Sequence, residues 1–297
     1  MFQRANNRPV SRIFLLLALL GWSQSCDRNK PPAEPPATTS QTVKIASLVP
    51  AATDLIVGMG AADHLVAVSN WDTDRPEIKQ LPRVGDYQAT DWERLAELRP
   101  TVMLVFMSLD RMPQGMKDRA DQLGIKVVNI QTEKIADVFA AIDRLGEIMN
   151  EPAKAEELSK KIHSQLDAVR QRVEGNSPVP TMLARDEAGY ALIAGDTFAD
   201  ELLTIAGGKN VAEDFKTRYP NVDRERVIEL APQAIIQLMP AATPQVIDQA
   251  RANWQNLPDL PAVKNHRVYI LTDWYVLQPG SHIGDVAEQM SKALHPE

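Results

Sequence analysis

From Glu151 to Gly175 the chain reads EPAKAEELSKKIHSQLDAVRQRVEG, and Ala155, Leu158, Ile162, Leu166, Val169 and Val173 recur in it at spacings of three and four. That is one apolar stripe on a long helix, with Pro152 near its start and Gly175 at its end. At a rise of about 1.5 Å per residue the stretch spans about 36 Å, close to the width of a small domain. On either side the pattern is different, because short β-rich runs alternate with helical ones. VKIASLV, LVAVS, VMLVF and KVVNI precede the long helix; TMLA, YALIA, AIIQL and RVYIL follow it, with helical stretches such as FADELLTIA and PQVIDQARANW between them. Such alternation predicts βαβ units and mainly parallel sheets. The fold class expected is therefore α/β: an N-terminal lobe over 43–150, a connecting helix over 151–175 and a C-terminal lobe over 176–297. A helix of that length is a stiff strut, so the lobes are expected to close only slightly around whatever they bind.

The first 42 residues stand apart from this pattern. Arg4, Arg8 and Arg12 precede the apolar run IFLLLALLGW, which is short for a permanent membrane span and reads as a secretory signal over 1–25. Ser23 and Ser25 lead to Cys26, the single cysteine of the chain, in an arrangement that resembles the lipidation site of a bacterial lipoprotein. The alternative is an ordinary signal peptide cut nearby, with Cys26 incidental. The stretch DRNKPPAEPPATTSQT carries four prolines and almost no large apolar side chain, so an extended tether is expected up to residue 42. An exported, membrane-anchored protein on the periplasmic side follows from this reading. With 32 Lys+Arg against 39 Asp+Glu the net charge is -7, and no basic face for nucleic acid is implied.

One device is written twice. Asp91–Pro100 reads DWERLAELRP and Asp223–Pro232 reads DRERVIELAP, identical at six of ten positions, and each runs into an apolar strand. In both copies an aspartate is placed to cap a helix, and Glu93 or Glu225 falls in the first turn, where the helix dipole favours negative charge. A proline then ends the helix. On these grounds alone the glutamates could be ordinary helix-start residues.

Motifs of catalysis are missing. There is no G-x-S-x-G and no G-x-G-x-x-G opening a helix, and the GGKN at Gly207–Asn210 lacks the first glycine and the Ser/Thr of a phosphate loop. A single cysteine, with His64, His163, His266 and His295 at no mutual ligand spacing, argues against a protein-held metal. A metal-dependent hydrolase on a two-lobed α/β fold is the alternative of another class, and no motif favours it. Neither an enzyme nor a resident cofactor is expected.

The segments SLVPAATDLIVGMGAADHLVAVSNW, LPRVGDYQATDWERLAELRP, AGDTFADELLTIAGGKNVA, YPNVDRERVIELAP and TDWYVLQPG, in this order over about residues 43–294, resemble the periplasmic substrate-binding proteins for vitamin B12, ferric siderophores and haem. The resemblance implies two lobes, a connecting helix and a shallow cleft between the lobes. It also implies that Glu93 and Glu225 dock on arginine-lined pockets in the two halves of an ABC permease dimer with its ATPase. A duplicated acid suits a two-fold partner. Trp71, Tyr87, Phe106 and Tyr219 match positions that are aromatic in the cobalamin-binding members, and Asp273 matches a polar ligand contact. Flat side chains offer wide apolar contact with few rotatable bonds, as a corrin ring needs. Trp92 and Trp254, on helical stretches, are expected inside the lobes. In the haem-binding members the ligand tyrosine directly follows Val-Gly; here Asp86 holds that place and Tyr87 the cobalamin register. The arginine that often follows Pro-Gly in siderophore binders is replaced by Ser281 and His282, and His282 is expected to be a capping neighbour. A corrinoid ligand is therefore expected, with any metal arriving as part of that chelate.

Overall fold

The short runs of β-branched and aliphatic residues form the strands that the alternation predicts. In the computed structural model, which describes residues 42–107 and 112–296, the N-terminal lobe runs β1 (Ile45–Ser47), α1 (Pro50–Gly58), β2 (Leu65–Ala67), α2 (Trp92–Leu98), β3 (Val102–Val105), α3 (Gln114–Gln122), β4 (Lys126–Asn129) and α4 (Ile135–Met149). Its sheet has the order β2-β1-β3-β4 and is parallel throughout. The long helix α5 covers Pro152–Val173. Beyond it come β5 (Val179–Ala184), β6 (Leu192–Ile193), α6 (Phe198–Ile205), β7 (Gly208–Asn210), α7 (Arg224–Leu230), β8 (Ala234–Leu238), α8 (Pro244–Gln255), α9 (Pro261–Lys264), β9 (Val268–Leu271) and α10 (Ile283–Leu294). The expected signal peptide, Cys26 and nearly all of the tether lie outside the described residues.

The second sheet is mainly parallel, in the order β6-β5-β8-β9 with β7 also paired to β5. Only β6 runs antiparallel in it, with Leu183 opposite Ile193. The link from β5 is too short to cross over, so the chain returns as a hairpin. The GGKN stretch supplies β7, whose Asn210 amide donates to the Ile193 carbonyl at 3.0 Å and to Asp200 Oδ1 at 2.8 Å.

Helix α4 is absent from the sequence reading, although Val138, Ile142, Leu145 and Met149 recur at helical spacing and are buried. It packs along α5, where a Cβ on Gly146 would stand 2.6 Å from that of Ala155, so only glycine allows this approach. Helix α5 buries Ala155, Leu158, Ile162, Leu166 and Val169. Its 22 residues correspond to about 33 Å of helix. On its other side Gln165 donates to Asp285 of α10 at 2.7 Å, and Arg172 donates to the Ser291 hydroxyl at 3.2 Å. One continuous apolar core, from Ile45 through Leu158 and Ile162 to Leu203 and Met290, runs through both lobes with α5 inside it. Trp254 is buried in a separate C-terminal cluster, its indole donating to Gln237 Oε1 at 2.9 Å, and Trp92 packs half-buried on the N-terminal lobe.

Candidate functional site

Among the described residues the large apolar side chains left most exposed are Trp71, Tyr87, Phe106, Leu123, Tyr219 and Ile228. Four of these six are the aromatics singled out in the sequence. Trp71, 72% exposed, Tyr87 and Phe106 line one open cleft of about 630 Å³ between the lobes. The opposite wall comes from Pro240 and Ala241 after β8 and from Trp274, Leu277 and Gln278 after β9. The cleft thus lies beyond the carboxyl ends of parallel strands in both sheets, where open α/β sheets leave space for ligands.

Trp71 is aimed by a polar anchor. Its indole N–H donates to Asp86 Oδ2 at 2.9 Å, while Asp86 Oδ1 accepts from the amides of Gln88 and Ala89 at 2.8 and 2.9 Å. The Trp71 hydrogen bond, followed by those amides, holds the Asp86 carboxyl below its ordinary range. Tyr87 extends from the same turn, and Gln88 Nε2 donates to its hydroxyl at 3.0 Å.

Tyr219 stands in an adjoining chamber of about 310 Å³, together with Arg185, Ile193, Phe198 and Leu277. Leu277 borders both spaces. Burial, then the nearby Glu133 carboxylate, pushes the Tyr219 hydroxyl up from its ordinary value, so it keeps its proton. Asp273 is not part of either wall: it is exposed, and its Oδ2 accepts from Gln289 Nε2 at 2.9 Å. The next residue, Trp274, faces the cleft in its place. His282 also stands off the lining; its Nδ1 lies 2.8 Å from Asp285 Oδ2 and its ring stacks on Tyr275 with centroids 4.4 Å apart.

Sequence reasoning missed Trp274, the anchoring of Trp71 by Asp86 and the clasp behind the cleft. The Arg75 guanidinium lies 4.5 Å from the Trp274 ring centroid, and its Nη1 donates to Asp54 at 2.6 Å. Asp54, buried in α1, accepts from the Ser281 amide and hydroxyl at 2.6 and 2.9 Å, bridging the lobes. A Cβ on Gly280 would stand 2.2 Å from Asp54 Oδ2, so this close approach requires glycine. Across the molecule Glu133 pairs with Arg218, which also holds Asp196 at 2.8 Å, and Asp196 pairs with Lys134. The Phe198 amide donates to the Glu133 carbonyl at 2.7 Å.

The repeated decapeptides fold alike. Asp91 accepts from the Arg94 amide at 2.9 Å and Asp223 from the Arg226 amide at 2.8 Å, capping α2 and α7. Both helices end on a left-handed residue, Arg99 or Ala231, just before proline. Glu93 and Glu225 are exposed in the first turns, and among the described residues neither carboxylate forms an ion pair.

Residues 45–275 match the model of the periplasmic binding protein family. The vitamin B12-binding protein of Vibrio campbellii is 25% identical over 238 residues, covering 80% of this chain and 84% of that relative. That of Yersinia pseudotuberculosis is 28% identical over 233 residues, covering 78% of this chain and 79% of the relative. Among solved structures, the periplasmic vitamin B12 binding protein of Vibrio cholerae superposes with a TM-score of 0.70 at 25% identity, over 84% of this chain and 96% of that one. The periplasmic heme binding protein of Vibrio cholerae shares the fold at a TM-score of 0.73 and 23% identity, over 86% of this chain and all of that one.

Proposed function

The chain belongs to the periplasmic binding protein family, and from that premise we propose that it captures a corrinoid between its lobes and delivers it to an ABC import permease with its ATPase. The family consists of solute-binding proteins, not enzymes. The observation that carries the corrinoid reading is the convergence of Trp71, Tyr87, Phe106 and Trp274 on one cleft whose remaining wall is mostly aliphatic side chains and proline, with Thr73, Asp86, Thr132 and Gln278 as its polar members. Such a surface suits a broad, flat, largely apolar ring. Among the described residues, Tyr87 is the one side chain of the wall with an iron-ligating group of the haem type, and no described arginine or lysine lines the cleft beside it. A corrinoid brings its own cobalt ligation and asks the protein only for contact area and hydrogen bonds.

Calorimetric titration with cobalamin and with haem tests the assignment. Cobalamin is expected to bind, and Trp71→Ala to weaken it by about 1 to 3 kcal/mol, as for an anchor in an interface core. Haem binding without any cobalamin heat would instead assign the cleft to haem. Membrane attachment in this reading rests on Cys26, since no helix of the described residues is long and apolar enough to cross a bilayer. Intact-mass measurement of membrane-extracted protein should find acyl mass on a chain beginning at Cys26; a mature form without it refutes the anchor.

A further inference from the structure

Among the described residues, Arg185 differs from Arg75 and Arg218, the other arginines discussed beside the ligand space. Arg75 is neutralised by Asp54 at 2.6 Å, and Arg218 by Glu133 and Asp196. Among the described residues the Arg185 guanidinium meets neither a carboxylate nor a hydrogen-bond acceptor. The neighbouring acid, Asp186, is turned away and accepts from the Ala191 amide at 3.0 Å. Instead Arg185 lies over the Tyr219 ring, 5.5 Å from its centroid, at the wall of the side chamber that shares Leu277 with the main cleft. Stacking on an aromatic face restrains a guanidinium while leaving its N–H donors free. The Tyr219 hydroxyl, also without a hydrogen-bond partner among the described residues, offers a further donor at the same wall.

We propose that Arg185 and Tyr219 form an anion subsite beside the cleft, which receives a phosphodiester arm of the ligand while the ring occupies the aromatic cleft. The proposal rests on the corrinoid reading and refines it: a complete corrinoid, whose nucleotide is joined through one anionic phosphodiester, engages both spaces, whereas cobinamide, the same ring without nucleotide or phosphodiester, engages only the cleft. A planar fork of donors fits two phosphate oxygens together.

Titration of wild type, Arg185→Gln and Arg185→Lys with cobalamin and with cobinamide decides it. Arg185 is exposed, so unchanged thermal melts are expected for both variants. Arg185→Gln should weaken cobalamin about tenfold, the loss of a charge-assisted hydrogen bond, and leave cobinamide within about twofold. Arg185→Lys keeps the charge and should recover part of that loss. Added salt should weaken cobalamin binding to wild type more than to Arg185→Gln. Equal effects of Arg185→Gln on the two corrinoids, or none on either, overturn the subsite while the corrinoid reading stands. If neither corrinoid binds wild type, that reading falls and takes the subsite with it.

Discussion

Asp72 follows Trp71 in the chain yet turns inward, only 6% exposed, and its Oδ2 accepts from the Ser69 amide at 2.8 Å and from the Thr53 hydroxyl at 3.4 Å. Burial pushes its carboxyl up from the ordinary 3.8 to about 6, against the opposing pull of those donors and of Arg75 and Arg83. The folded state therefore holds this proton more tightly than the unfolded chain does. The resulting stabilisation is complete below about 3.8 and is lost as pH rises through about 6. Over the whole window the difference amounts to roughly 3 kcal/mol at most. Asp72→Asn removes the titration while keeping an acceptor for Ser69. Its stability relative to wild type is expected to be greatest near neutral pH and to fall as pH drops toward 4, measured by urea unfolding across that range. A difference independent of pH would refute the assignment. No local pattern marks Asp72, since whether this carboxylate is solvated depends on α1 closing over it.

At the scale of elements, the two decapeptides make the same seven-residue helix, α2 in one lobe and α7 in the other. Capping aspartate, first-turn glutamate and terminal proline are local signals, and they are legible because each acts within one turn. Glu97 and Glu229 pair with Arg94 and Arg226 at 2.5 and 2.9 Å, whereas among the described residues Glu93 and Glu225 form no ion pair. If Glu93 and Glu225 are the docking acids that the family resemblance implies, they should be dispensable for folding. Glu93→Lys and Glu225→Lys are expected to cost only about 0.3 to 1 kcal/mol each through the helix dipole and to leave ligand affinity unchanged. With the cognate permease, ligand-stimulated ATPase activity and uptake should collapse, because like charges facing across an interface cost several kcal/mol. Full uptake by the double variant would reduce both glutamates to helix-start residues.

For the whole molecule, the lobes are joined by α5, by the Asp54–Ser281 contact and by the Glu133–Arg218 pair. The Asp54 side chain is 1% exposed and that of Arg75 11%. Asp54→Ala would leave Arg75 and the Ser281 donors without their acceptor, and is expected to destabilise the fold by about 3 to 5 kcal/mol, as removal of one partner from a buried pair does. Chemical denaturation measures this directly. A loss under about 1 kcal/mol would mean that the clasp does not hold the lobes. Trp274, packed on Arg75, should then also shift, and its fluorescence would report the loosened wall.

The α/β class, the long helix and the duplicated helices are legible in the sequence, because periodicity, caps and proline stops act between residues a few positions apart. The stripe Ala155, Leu158, Ile162, Leu166 and Val169 is buried along α5 as its spacing predicts. The sequence also marked Trp71, Tyr87, Phe106 and Tyr219 by family resemblance. Helix α4 carried an equally regular stripe, but its N-cap position holds Lys134, and its capping carboxylate, Asp137, which accepts from the Lys134 amide at 3.0 Å, lies inside the first turn. How the marked residues share space is set by packing: Tyr219 falls in the side chamber with Arg185, Asp273 turns to Gln289, and Trp274 takes the cleft. Asp54 meets Ser281 across 227 positions of sequence, and a buried hydrogen bond between two lobes exists only once both have folded against α5. Long-range partners are chosen by packing, which one chain's local pattern does not encode.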